Sequence, residues 1–185
     1  MVHVLVVYAT TEGQTEKIAG RVADWLRGAG DQATLVDARA AATLELGTFD
    51  AAVLAASLHV GRHQAEMVEF IRKQRARLDR VPTAFISVSL SATSKLEEDL
   101  AGARAAVEDM FDELDWEATS VHLAAGAVHD RRMSFLKRWV IHRILREKGV
   151  EMAPSGDMEF TDWAALDVFL QTFMGRARAA GHEYA

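Results

Sequence analysis

A chain of 185 residues, half of them apolar and 26% charged, has the size and composition of a globular domain with a substantial core. It has no cysteine, which excludes disulfides, thiolate chemistry and cysteine-ligated metals and fits a reducing compartment. The formal net charge of −6 argues against general nucleic-acid binding, and no apolar run approaches the roughly 20 residues of a membrane span.

No basic segment followed by a long apolar stretch opens the chain, so no signal peptide is expected. Val2 to Tyr8 (VHVLVVY) is β-branched and nearly continuously apolar, the pattern of a parallel strand covered on both faces. Thr15 to Leu26 carries Ile18, Val22, Trp25 and Leu26 at helical spacing, and Gly28 and Gly30 end it. Ala33 to Val36 and Ala51 to Ala56 read as the second and third strands. Met67, Phe70, Ile71 and Leu78 space a second helix. Pro82 precedes a fourth strand, Thr83 to Val88, and Glu97 to Leu114 is a long helix with Leu100, Val107, Met110, Phe111 and Leu114 inward. Ser120 to Val128 reads as the fifth strand and Trp163 to Ala180 as the last helix.

Strands that alternate with helices give a parallel sheet covered on both faces, and right-handed crossovers leave few topologies. Five strands suit the doubly wound order 2-1-3-4-5. No linker, repeat or low-complexity tract divides the chain, so residues 1–185 are expected to form a single domain. One segment breaks the alternation, an insertion over about 130–157.

In such a sheet, ligands bind beyond the carboxyl ends of the strands. There, between strand one and helix one, stands Thr10-Thr11-Glu12-Gly13-Gln14-Thr15. A helix N-terminus offers unpaired N–H groups and partial positive charge, so a phosphate can sit on it without a lysine. Thr10, Thr11 and Thr15 add hydroxyls, and Gly13 permits close approach of the backbone. Neither a Walker A loop nor a Gly-x-Gly-x-x-Gly turn is present. The residues alone fit either a plain capped turn or a site for one terminal phosphate. This turn resembles the FMN phosphate loop of flavodoxins, and the fold read from the strands agrees.

The resemblance implies a flavin ring over the loops after strands three and four. Ser57-Leu58-His59-Val60-Gly61-Arg62-His63 follows strand three, and Ser89, Leu90 and Ser91 follow strand four. Ser57, Leu58, His59, Val60, Gly61, Ser89, Leu90 and Ser91 are therefore candidate cofactor contacts. His59, Arg62 and His63 could touch the flavin or an acidic substrate, or be solvated loop residues. Neither loop contains Trp, Tyr or Phe. One flavin face is then either open to a bulky partner or covered by His59 or a residue from elsewhere. No acidic residue lies among the three, so no metal site is expected.

Between Arg131 and Lys148 stand seven Lys or Arg and one Glu, a local charge of +6 that leaves −12 for the rest of the chain. Drawn as a helix, the segment gathers Met133, Leu136, Val140, Ile141, Ile144 and Leu145 on one half. Arg131, Arg132, Arg138, His142, Arg143 and Arg146 fall mostly on the other, Lys137 interrupts the apolar half, and Phe135 and Trp139 flank it. A basic amphipathic helix of this kind reads as a membrane-surface or partner-binding element, or as a surface helix packed on the domain.

The order AGAVHDRRMSFLKRW…FTDW, with Thr161-Asp162-Trp163 leading into the last helix, resembles the flavodoxin-type protoporphyrinogen dehydrogenases of bacterial haem synthesis over nearly the whole chain. That family carries tyrosines near the start of its insertion, where this chain has His129, Asp130 and Arg131, and in the loop after strand three. These departures bear on the substrate more than on the cofactor. The resemblance implies FMN-dependent oxidation of protoporphyrinogen IX with a membrane quinone as acceptor. It also implies a cytoplasmic protein peripheral on the inner face of the cell membrane, in contact with anionic lipid. Arg62, His63, Arg131, Arg132, Arg138, Trp139, Arg143 and Arg146 are the expected substrate or membrane contacts; no acid–base residue stands out. An NAD(P)H-dependent quinone reductase and a soluble electron-carrier flavodoxin remain alternatives.

Overall fold

The computed structural model describes residues 1–41, 46–93, 97–129 and 157–183. The helix drawn for the insertion, with Arg131, Arg132, Arg138, Trp139, Arg143 and Arg146, lies outside these residues.

Five parallel strands form the sheet: β1 (His3–Ala9), β2 (Gln32–Asp37), β3 (Ala51–His59), β5 (Thr83–Ser89) and β6 (Ser120–Ala125). Their order, β2-β1-β3-β5-β6, is the expected doubly wound order counted over the long strands. A two-residue strand that the sequence does not signal, β4 (Arg62–His63), folds back antiparallel on β3. Among the described residues the α-helices are α1 (Gln14–Gly28), α2 (Ala38–Ala41), α3 (Ala65–Leu78), α4 (Glu97–Leu114) and α5 (Trp163–Glu183). The short α2 also goes beyond the expected elements.

Strand alternation divides the core in two. Leu5, Val7, Leu54 and Phe85 face α3 and α4, where they meet Met67, Ile71, Val107 and Phe111. Val4, Val6, Val53 and Ile86 face α1 and α5, where they meet Ile18, Val22, Leu166 and Phe173. The nearly continuous apolar run of β1 follows from this two-sided cover. Leu100, expected inward, is only partly buried because α4 makes its core contacts from Ala103 onward.

The fifth strand differs from its expected course to Val128. It leaves the main sheet at Gly126, whose N–H donates to the Ser89 carbonyl at 3.0 Å. A Cβ at this position would lie 3.6 Å from the Ser89 carbonyl carbon, so the chain crosses the end of β5 at contact distance. Beyond it, β7 (Ala127–His129) pairs antiparallel with β8 (Asp157–Glu159), Ala127 opposite Glu159 and His129 opposite Asp157. This two-stranded stem brackets the insertion at the carboxyl end of the sheet.

Candidate functional site

Three connections converge at the carboxyl end of β1, β3 and β5. In the first, Gly13 is the N-cap of α1 with φ +94°, a left-handed conformation that glycine adopts without a Cβ clash. No side chain caps this helix start, so its first-turn N–H groups face outward with the positive end of the helix dipole. The Gly13 N–H donates to Thr10 Oγ1 at 3.0 Å. With its oxygen accepting there, the Thr10 hydroxyl keeps its own hydrogen for an acceptor outside. Thr11 is exposed, Glu12 partly buried, and Thr15 is buried against the base of the turn. Gln14 behaves differently from an expected direct contact. Its side chain is buried, and the carboxamide donates to Thr161 Oγ1 at 2.9 Å and to Glu159 Oε1 at 3.2 Å. Only the Gln14 backbone is left to face a ligand.

The second connection is a tight hairpin. Leu58 pairs with His63 and His59 with Arg62, and between them Val60 and Gly61 have φ +50° and +73°. Positive φ at both central positions is what a type I′ turn requires, and a β-branched residue there is strained by about 1–3 kcal/mol. The Val60 side chain is fully exposed, with His59, Gly61 and Arg62 exposed beside it. Gln64, which is not among the expected contacts, ties this connection to the first. Its Nε2 donates to Thr11 Oγ1 at 2.6 Å and to Ser57 Oγ at 2.9 Å. Its position at the N-cap of α3 was the available signal.

His63 does not lie on the exposed rim as expected. In a two-residue strand, alternation turns one side chain out and the other in; Arg62 is exposed and His63 is 7% exposed. The His63 ring meets Phe85 edge-on at 5.1 Å, and its Nε2 shares a 2.9 Å hydrogen bond with Ser87 Oγ. Burial pushes its pKa down to about 4, so the imidazole is neutral at pH 7. Unfolding returns it to the ordinary value near 6.5, so the unfolded chain binds the extra proton between these values. This contribution to stability is fully present above pH 6.5 and is lost as pH falls toward 4. Urea titrations at pH 7 and pH 4.5 should therefore differ less in His63→Phe than in the wild type, by about 2–3 kcal/mol. An unchanged difference would show that His63 takes up its proton as readily in the folded protein as in the unfolded chain.

In the third connection Ser89 is buried; its Oγ accepts the Ala92 N–H at 3.2 Å and its carbonyl accepts the Gly126 N–H. Leu90 and Ser91 are half-buried beside it. The structure thus brings Thr10 to Thr15, Ser57 to Gly61 and Ser89 to Ser91 to one edge, with Gln64 tying the first two together and Gly126 tying the third to the stem. A cleft of about 450 Å³ opens next to the hairpin between α3 and α4, with Arg62, Arg72 and Glu113 on its walls. Among the described residues no group of three or more His, Asp or Glu could hold a metal ion.

The edge combines an α1 start without a side-chain cap with the exposed β3–β4 hairpin and the half-buried Leu90 and Ser91. The Flavodoxin domain family matches residues 5–154. A Leishmania major protein named protoporphyrinogen IX dehydrogenase [quinone] is 28% identical over 170 residues, covering 91% of this chain and 73% of that protein. An Escherichia coli K12 protein of the same name is 28% identical over 165 residues, covering 89% and 91%. Among solved structures, a cysteine-to-serine mutant of flavodoxin from Pseudomonas aeruginosa superposes with TM-score 0.50 at 17% identity, covering 78% of this chain and 95% of that one. Rubredoxin oxygen:oxidoreductase from Desulfovibrio gigas superposes with TM-score 0.54 at 15% identity, covering 99% of this chain and 37% of that one. The match over residues 5–154 takes in the α1 turn and all of the long strands except the first two residues of β1: the chain belongs to the Flavodoxin domain family.

Proposed function

We propose that the protein is an FMN-dependent oxidoreductase that dehydrogenates protoporphyrinogen IX and passes the electrons to a membrane quinone. One observation carries the reading: an uncapped helix start with a left-handed glycine stands at the switch edge of a chain whose curated relatives over about 90% of its length bear that activity in their names. FMN, when bound, supplies the two-electron redox chemistry. In this reading, Thr10, Thr11 and the N–H groups after Gly13 hold its single terminal phosphate, which favours FMN over FAD. Leu58 to Gly61 and Ser89 to Ser91 border the ring. Val60 offers an apolar contact where an aromatic residue is missing, and Arg62 attracts the acidic groups of the substrate.

The test is anaerobic growth of porphyrin fluorescence from the FMN-loaded protein and protoporphyrinogen, with and without a menaquinone analogue. Porphyrin should accumulate only with the quinone. Rapid reduction of the flavin by NADPH, with none by porphyrinogen, would make the protein an NAD(P)H-dependent quinone reductase instead. Reduction by neither would favour a soluble electron carrier.

The basic segment from Arg131 to Lys148 supports a location at the inner membrane face, because each Lys or Arg near an anionic surface contributes on the order of 1 kcal/mol. Among the described residues no helix is long and apolar enough to cross a membrane. The wild type should co-sediment with anionic vesicles at low salt and be released as salt screens the attraction. Replacing Arg138, Arg143 and Arg146 with Glu should abolish co-sedimentation and leave FMN bound. Equal binding of this variant and the wild type would remove the membrane assignment.

A further inference from the structure

Among the described residues, the exit of the β7–β8 stem is tied by side-chain hydrogen bonds to the turn that starts α1. Gln14 reaches across 147 positions to Thr161 Oγ1 (2.9 Å) and across 145 to Glu159 Oε1 (3.2 Å). Thr161 in turn donates to the Ala125 carbonyl at 2.8 Å, where β6 ends. Lys17, one turn further along α1, pairs with Glu159 Oε2 at 2.5 Å and stands 5.6 Å from the centre of the Trp163 ring. The Phe160 N–H closes the set on the Gly126 carbonyl at 3.1 Å. The exit of the stem is thus fastened to α1, and its entrance to the end of β5 through Gly126. Gln14 is the central strut. Its side chain is buried, so breaking its bonds leaves a carboxamide without partners, whereas the exposed Lys17 pair adds little.

The same residue has a backbone N–H at the open start of α1, next to Gly13. An anion seated on that turn fixes the position of the Gln14 backbone, and the side chain transmits the constraint to Glu159 and Thr161. We infer that Gln14 is a positioning residue that couples anion binding at the α1 turn to the order of the β7–β8 stem, which carries the insertion. The inference rests on the proposed function only for the identity of the anion, the FMN phosphate. Coupling between two sites is reciprocal, so a loosened stem also weakens the hold on FMN.

Hydrogen exchange of the Phe160 amide and of residues 157–159 reads the coupling. It is measured on the full chain without flavin, saturated with FMN, and saturated with riboflavin, which has the ring and no phosphate. In the wild type, FMN should slow exchange at these amides at least about fivefold more than riboflavin does, the lower end of typical couplings between sites. In Gln14→Ala at equal saturation this extra slowing should disappear, and the FMN dissociation constant should rise by the same factor. Thr161→Val removes the bond from its other end and should do the same. A role limited to folding stability would speed exchange in every state of a variant and leave the FMN-to-riboflavin ratio unchanged. FMN uptake with no difference from riboflavin in the wild type, or an unaltered ratio in both variants, would overturn the coupling alone. No uptake of FMN by the wild type would overturn both the coupling and the proposed function.

Discussion

Thr10→Ala should raise the FMN dissociation constant by roughly 10- to 150-fold, measured by quenching of flavin fluorescence on titration. The hydroxyl has two tasks. Its oxygen accepts the Gly13 N–H at 3.0 Å, which holds the glycine in the left-handed N-cap position. Its hydrogen is then directed to an acceptor outside the turn, in the proposal a phosphate oxygen. A hydrogen bond to a charged group contributes about 1.5–3 kcal/mol, which is the quoted range of affinity. Alanine also releases the Gly13 N–H from its partner, but that amide can turn to the phosphate and offset part of the loss. Riboflavin affinity should hardly change, because the ring is bordered by other loops. If both ligands weaken equally, Thr10 acts on the whole edge and the phosphate assignment for this turn is wrong.

The largest effect on stability should come from Phe85→Ala, a loss of about 3–5 kcal/mol in unfolding free energy from urea titration at constant slope. Phe85 lies in β5 with no exposed surface. It joins two rings edge-on: His63 at 5.1 Å and Phe111 at 5.6 Å, and Phe111 continues to Trp116 at 5.4 Å. Removing it takes away the transfer energy of the ring, leaves a cavity against a close-packed strand, and unseats His63. The β3–β4 hairpin should therefore loosen at the same time, so FMN affinity should fall too. Phe85→Leu, which keeps most of the volume, should cost less than half as much and retain FMN. A loss under about 1 kcal/mol for Phe85→Ala would mean that the neighbours close the cavity and that the ring chain is not a main support of the hairpin.

The alternation of β-branched runs with helical periodicity was sufficient to predict the parallel strands and the helices between them, because a strand buried on both faces leaves a local signal that needs no knowledge of its neighbours. The Thr10 to Thr15 turn was legible for the same reason: Thr10 accepts the Gly13 N–H three positions away, and Gly13 takes the left-handed conformation that its own residue type favours. Other features were decided by contacts that no local window contains. His63 has the composition of a rim residue, and only the pairing of His63 with Leu58 across a two-residue hairpin turned it toward Phe85. Val60 gives no sign of a left-handed conformation, since β-branched residues avoid it; the β3–β4 pairing imposes it. The expected fifth strand was apolar through Val128, yet it breaks at Gly126 because the end of β5 and the return of β8 offer better partners for its backbone. The side chain of Gln14 stands in the middle of the Thr10 to Thr15 turn but bonds to Glu159 and Thr161, some 145 positions away. Sequence determines which backbone groups a turn exposes; tertiary structure decides which distant side chain finds them first, because a buried polar group takes whatever partner the packed fold brings within about 3 Å.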